Sequence, residues 1–313
     1  MGSAGTLTWK IPASDWTPIC HPLVDEVSRE VNDYFLQHWG FPSAKARSKF
    51  IDAGFSRVTC LYFPRARDDR IHFACRLLTL LFLIDDLLED MSFDDGSAYN
   101  EKLISIASGE LAPDRNEPVE YITHDLWESM RACDLELAEQ VLDPTFLFMR
   151  AQTDKIRLGI TELGQYLQYR EKDVGKALLS ALMRFSMGLQ LSTLELALVK
   201  PLEQNCSKHI SVVNDIYSYS KEVHAVAVGH EEGSFLCNAV QVFSSSASLD
   251  IDASQRVLWH IVREWEKVHD SLARQLIDPS SGEALRDYVK GLEYQMSGNE
   301  IWSRTTLRYS QID

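Results

Sequence analysis

The sequence predicts an all-α protein in a single domain. Three observations carry this reading. From Pro22 onward, apolar residues recur at helical spacing almost throughout; the alternating pattern of half-buried strands is nearly absent; and glycine and proline sit mostly between the helical runs. At 313 residues the chain is long for one domain, but no low-complexity linker divides it and no repeat recurs at a fixed period. A chain of this length buries roughly three quarters of the surface its unfolded form exposes, which leaves room for a cavity within the core.

Residues 1–20, rich in Gly, Pro, Ser and Thr, read as an irregular arm, and 21–313 as the domain. Leu23, Val27, Val31, Tyr34 and Phe35 share one helical face, and Gly40 with Pro42 stops that run. Pro64 marks a second break. A strongly apolar helix over 68–91 then ends in acids. Further helices are expected at 97–107, 118–140, 144–157, 161–172, 175–190, 203–225, 233–244, 253–277 and 283–298, with 226–234 and the Ser-rich 244–248 as loops.

Hydrophobic residues make up 45% of the chain and charged residues 25%, the composition of a folded globule. The net charge of −15 makes nucleic acid and anionic membrane surfaces poor partners. An anionic substrate would need bound divalent cations to reverse the local sign. The six cysteines are scattered with no CxxC pair, so neither a zinc site nor a redox motif is indicated, and a reducing cytoplasm fits best. The apolar run from Leu77 to Ile84 is too short to cross a bilayer. Gly2 with Thr6 matches the loose myristoylation pattern, but no polybasic stretch supports it, so no stable membrane anchoring is expected.

Two constellations stand out. In Phe82-Leu83-Ile84-Asp85-Asp86-Leu87-Leu88-Glu89, Asp85 and Glu89 are four apart and share one helix face, while Asp86 lies about 100° round the helix. Such close carboxylates repel unless a cation joins them. They also continue directly from an apolar run, at the helix end where the dipole disfavours negative charge. Hard oxygen ligands of this kind suit Mg²⁺, which takes one or two carboxylates plus substrate phosphate. A solvated acidic helix end would look the same in isolation. The second constellation is Asn214, Ser218 and Glu222 at i, i+4, i+8, which spread over about 80° of one helix face. An amide oxygen, a hydroxyl and one carboxylate bind Mg²⁺ without crowding negative charge beside a phosphate, and Lys221 beside them supplies a point charge. Alone, this stripe could also be a solvent face.

Together, the two stripes on two long apolar helices resemble the class I terpene synthases, whose aspartate-rich motif and N-D-x-x-S-x-x-x-E motif flank the mouth of a helical barrel. Asp85-Asp86-Leu87-Leu88-Glu89 matches the first, and Asn214 to Glu222 the second. Further phrases look like the fungal sesquiterpene cyclases of the aristolochene-forming type: Arg170-Glu171-Lys172-Asp173-Val174-Gly175, Phe185-Ser186-Met187-Gly188, and the tail from Asn299 to Tyr309. The resemblance covers about 18–310. It implies a helical barrel with a central apolar cavity, about three Mg²⁺ ions, and farnesyl diphosphate as substrate, with diphosphate released. It also implies that Asp85, Asn214, Ser218 and Glu222 bind metal, with Asp86 and Glu89 as supporting acids. Arg170, Lys221, Arg308 and Tyr309 would hold the diphosphate, and Tyr62, Phe82, Phe148 and Trp302 would line the hydrocarbon pocket. Relatives associate through helical faces, so a homo-oligomer is compatible with it. Aristolochene is the leading product it implies, with a germacrene or a cadinane/muurolane hydrocarbon as alternatives.

The chemistry accounts for these residue types. Loss of diphosphate from an allylic carbon is eased by fixed positive charge at the leaving group, and Arg170 and Arg308 offer fork geometry for phosphate oxygens. The carbocation then needs a dry pocket with aromatic faces. Phe82, three residues before Asp85, would lie one turn deeper than the acids. Other readings fit less well. A chain-elongating prenyltransferase would carry a second aspartate-rich motif where Asn214, Ser218 and Glu222 stand. His124-Asp125 and His269-Asp270 lack the companion ligands of a phosphohydrolase. Glu266-Lys267-Val268-His269 is a lone ExxH where a di-iron bundle needs two, and reads as a solvated helix face. A non-catalytic isoprenoid-binding helical protein would not need the intact metal and phosphate residues.

Overall fold

The computed structural model describes residues 9–228, 232 and 235–309. The first eight residues of the arm, with the Gly2–Thr6 pattern, and most of 229–234 lie outside them. Residues 9–20 carry no helix, and there is no β-strand among the described residues. None of the helices is long and apolar enough to cross a membrane, and all six cysteines are unpaired.

The helices run in the order α1 Val24–His38, α2 Ala44–Ala53, α3 Phe55–Tyr62, α4 Ile71–Leu88, α5 Phe93–Ala107, α6 Pro118–Cys133 and α7 Leu135–Gln152. A 3-10 turn follows at Lys155–Gly159, then α8 Leu163–Asp173, α9 Lys176–Met187, α10 Thr193–Val228, α11 Ala239–Ala247, α12 Ile251–Leu276 and α13 Glu283–Thr305. A last 3-10 turn, Leu307–Tyr309, closes the described chain. Several starts are locally encoded. Ser43, Ser92, Asp134, Asn238 and Asp250 each accept a hydrogen bond from a backbone N–H in the first turn of the helix they precede.

α4 is buried on nearly every side, as its strongly apolar sequence demands. It packs on α1, α3, α6 and α9, while α10 packs against α12 and α13. The larger core joins α1–α7, α9, the first half of α10 and α13. A second cluster, including Tyr166, Val213, Trp259 and Val262, joins α8, α10, α11 and α12. Where α13 crosses α3, a Cβ on Gly298 would stand 2.6 Å from the carbonyl oxygen of Leu61, so only glycine permits that approach.

Several helix limits differ from the sequence reading; α2 and α3 have no counterpart in it, and α5 starts four residues before the expected 97. The predicted 118–140 and 144–157 are α6 and α7. The break falls at Asp134, which caps α7 through Leu137 N and pairs with Arg70 at 2.9 Å. Pro144 lies inside α7. It removes one ladder bond, but burial of Val141, Leu142, Phe146 and Met149 outweighs that cost. α10 starts ten residues before the expected 203 and runs through Pro201 for the same reason: Val199, Leu202 and Cys206 are buried on one face. It also continues to Val228, so 226–228 are helix and not loop. The helix expected at 233–244 is α11, shifted to 239–247, which makes Ser244, Ser245 and Ser246 helical. α13 extends seven residues beyond 298, because Trp302 and Ser303 are still buried. Glu266 and His269, expected in solvent, are instead buried at 7% and 1% exposure, among Arg263, His209 and Trp16.

Candidate active site

One cavity of about 220 Å³ opens between α3, α4, α7, α10 and α13, with the α8–α9 junction and the C-terminal 3-10 turn completing its walls. Thirteen of the fourteen predicted site residues line it. Asp86 alone does not, and it is bonded to Arg308, which does.

The acidic wall is the C-terminal end of α4. One carboxylate oxygen each from Asp85, Asp86 and Glu89 lies within 4.8 Å of the others. Burial, then the charges of Glu89 and Asp86, push the Asp85 carboxyl up to about 6. Gln152, at the end of α7, donates to Asp85 Oδ1 at 2.9 Å. Burial also opposes ionisation of Asp86, but Arg308 and Lys221 outweigh it and hold that carboxyl below its usual range.

The facing wall is α10. Ser218 Oγ donates to Glu222 Oε1. Asn214 Nδ2 donates to the Tyr309 hydroxyl at 2.7 Å, and its Oδ1 accepts from Arg170 Nη2 at 3.3 Å. The expected polar stripe therefore turns inward. Asp215 points away from it. Fully buried, Asp215 accepts from Tyr166 Oη and from the Ala239 N–H at 2.8 Å, and meets Arg170 at 3.3 Å.

Protein cations span the two walls. Lys221 Nζ donates to Glu89 at 3.0 Å. Arg308, carried by the C-terminal turn, is paired with both oxygens of Asp86. Arg170 is held by Asp173, one turn on in α8. Neighbouring acids keep Arg170 and Arg308 charged despite their burial.

Below this ring the cavity is apolar and aromatic. Phe82 stacks on Phe55 with centroids 4.6 Å apart and lies 5.9 Å from Trp302. Trp302 is pinned by its indole N–H to Ala53 O at 3.2 Å and meets Tyr309 edge-on at 5.5 Å. Tyr62 donates to Asn299 at 2.8 Å. Phe148 packs on Gly175, whose φ of +69° at the start of α9 suits glycine, and a Cβ there would come within 3.1 Å of the Phe148 ring.

The donor set fits divalent cations. A compact group of carboxylates with one strained toward protonation faces a neutral amide oxygen, a hydroxyl and a carboxylate. All are hard oxygen donors that leave positions open to a phosphate. Sequence reasoning missed Gln152, Asp173, Arg157 and Asn238. Arg157 donates to the carbonyls of Gln152 and Phe235 at 3.1 and 3.3 Å. Gln152 and Asn238 act on partners far away in sequence, and Arg157 joins Gln152 to the distant Phe235, so no local spacing announces them; Asp173 is the exception, one turn from Arg170 on the same helix.

A helical cavity in which two oxygen-rich stripes face each other beside a cluster of basic side chains fits a metal-binding terpene synthase. The comparisons agree. The family described as terpene synthase family 2, C-terminal metal binding, matches residues 76–268. The aristolochene synthase of Aspergillus terreus is 63% identical over 96% of this chain and 94% of its own length. That of Penicillium roqueforti is 64% identical over 96% and 88%. The crystal structure of aristolochene synthase from Penicillium roqueforti superimposes with a TM-score of 0.84 at 61% identity, covering 95% of this chain and all of that one. The chain belongs to the terpene synthase family, with the divalent-metal-binding domain and class I helical fold that go with it.

Proposed function

We propose that this protein is a Mg²⁺-dependent sesquiterpene cyclase that ionises farnesyl diphosphate and closes the carbocation to aristolochene, releasing diphosphate. The observation that carries this reading is that carboxylate, amide, hydroxyl, guanidinium and ammonium groups from α4, α8, α10 and the C-terminal turn line the same cavity as Tyr62, Phe82, Phe148 and Trp302. High identity to two aristolochene synthases along nearly the whole chain supports the product.

In this reading Asp85 on one wall and Asn214, Ser218 and Glu222 on the other hold about three Mg²⁺ ions, and Asp86 and Glu89 support them. When bound, Mg²⁺ supplies the fixed positive charge that neutralises the leaving diphosphate. Arg170, Lys221, Arg308 and Tyr309 grip phosphate oxygens as the allylic carbon–oxygen bond breaks and its electron pair leaves with the diphosphate. Phe82, Phe148, Tyr62 and Trp302 surround the hydrocarbon, exclude water, and offer ring faces to the cation. Burial holds the Tyr62 and Tyr309 phenols well above their ordinary range, so neither serves as a base at neutral pH. In this reading, by the chemistry of the family it resembles, the released diphosphate serves as acceptor and donor of the proton that moves during cyclisation. The setting we assign is the cytoplasm.

The experiment is incubation of the purified protein with farnesyl diphosphate and Mg²⁺, with and without chelator, followed by gas chromatography–mass spectrometry of a pentane overlay. The expected result is one dominant hydrocarbon, aristolochene, abolished by chelator. A different sesquiterpene would overturn the product, and silence with shorter, equal and longer diphosphates would overturn the activity.

A further inference from the structure

Asn238 has no place in either sequence motif, yet it is fully buried and touches the second cation stripe. Its Oδ1 accepts from the Val240 N–H at 2.9 Å and caps α11. That bond decides which end of the amide is oxygen. The Nδ2 group is thereby turned toward α10, where it donates to Asp215 O at 3.0 Å and to Glu222 Oε2 at 3.1 Å. The same junction is clamped a second time, because the Ala239 N–H donates to Asp215 Oδ2. With Ser218 on Oε1 and Asn238 on Oε2, both oxygens of Glu222 are oriented before any cation arrives.

We propose that Asn238 is a positioning residue for the second cation site. It acts through Glu222, from a separate helix, so the strength of that site depends on how α11 docks on α10. The inference rests on the reading of Glu222 as a cation ligand. A glutamate side chain has several rotamers that ligation must freeze. A buried amide donor freezes them in advance. The cap alone does not require this, since any oxygen acceptor at position 238 would serve the α11 N-terminus.

The test separates the cap from the positioning role. Asn238→Asp keeps the size and the capping oxygen but turns the donor facing Glu222 into an acceptor. Asn238→Ser keeps a capping oxygen but is too short to span to Glu222. Mn²⁺ binding to the full chain, read by electron paramagnetic resonance with inorganic diphosphate present, is compared with the melting temperature of the metal-free protein. Both variants are expected to bind Mn²⁺ about 10–100-fold more weakly, and to need a correspondingly higher Mg²⁺ concentration for half-maximal turnover. Glu222→Gln is the reference and should weaken Mn²⁺ binding at least as much. Wild-type Mn²⁺ affinity in the Asn238 variants, with Glu222→Gln impaired, overturns the inference alone. Wild-type affinity in Glu222→Gln overturns the ligand reading of Glu222 and the inference with it. If Asn238→Asp does not fold, Asn238→Ser decides.

Discussion

Arg308 and Asp86 meet through two parallel hydrogen bonds, Nη1 to Oδ2 at 3.0 Å and Nη2 to Oδ1 at 2.7 Å, across the rim of the cavity. The same guanidinium lies over the rings of Phe55 and Phe82, at 5.3 and 5.8 Å from their centroids. One side chain thus ties the C-terminal turn to the acidic end of α4 and roofs the aromatic wall. Lysine keeps the charge but loses the planar fork and the stacking. Arg308→Lys is therefore expected to lower kcat/KM about a hundredfold while circular dichroism stays that of the parent. Activity within a factor of about two of the parent would show that the fork is not used.

Asn214→Leu preserves volume and removes both the amide oxygen and the donor to Tyr309. Turnover should fall about a thousandfold or more, since no water-filled replacement restores a ligand beside an apolar side chain. The fold should persist, because Arg170 keeps Asp173 and Asp215 as partners. A melting temperature lowered by about 2–4 °C is the expected cost. Near-parental turnover would remove Asn214 from the ligand set.

Phe82→Leu replaces a ring face by an aliphatic chain of similar bulk. A cation–π contribution of about 0.5–2 kcal/mol corresponds to about a 2–30-fold loss of kcat. Product analysis should show a larger share of incompletely cyclised hydrocarbons. An unchanged product profile and rate would reduce Phe82 to packing.

Asp85 gives a pH signature. Its carboxyl is raised from 3.8 to about 6, by burial first and then by Glu89 and Asp86. Between these values the folded chain holds a proton that the unfolded chain has released. The contribution of this group to the stability of the cation-free protein is therefore fully present below 3.8 and lost as pH rises through about 6. Urea denaturation of chelated protein should show this slope, and Asp85→Asn should flatten it. Divalent-cation affinity should move the opposite way, weakening as pH drops below about 6, because ligation requires the carboxylate. A cation affinity that is level from pH 7 to pH 5 would place Asp85 outside the site.

That the two oxygen-bearing stripes share a face and turn into the cavity was legible in the sequence because each is local. Asp85 and Glu89, and Asn214, Ser218 and Glu222, repeat at one-turn spacing on single helices, so their shared face follows from helical geometry alone. Residues that steady those side chains were not legible. Gln152 reaches Asp85 across 67 positions, and Asn238 reaches Glu222 from another helix. Helix limits failed where burial overrode a local breaker, as at Pro144 and Pro201, and where a cap residue was overlooked, as at Asp134. Glu266 and His269 were misplaced for a related reason. Polar residues normally face water, and only the tertiary fold supplies the buried Arg263 and His209 beside them.

The contact of Gly298 with Leu61 has a consequence for reshaping the cavity. Backbone touches backbone there, one residue before Tyr62 on α3 and one turn before Trp302 on α13. Two walls of the chamber meet there with no side chain between them, so their spacing is set by the absence of one methyl group. Any side chain placed at 298 acts as a wedge, and it must move α13 away from α3 beside two residues that line the chamber, Tyr62 and Trp302.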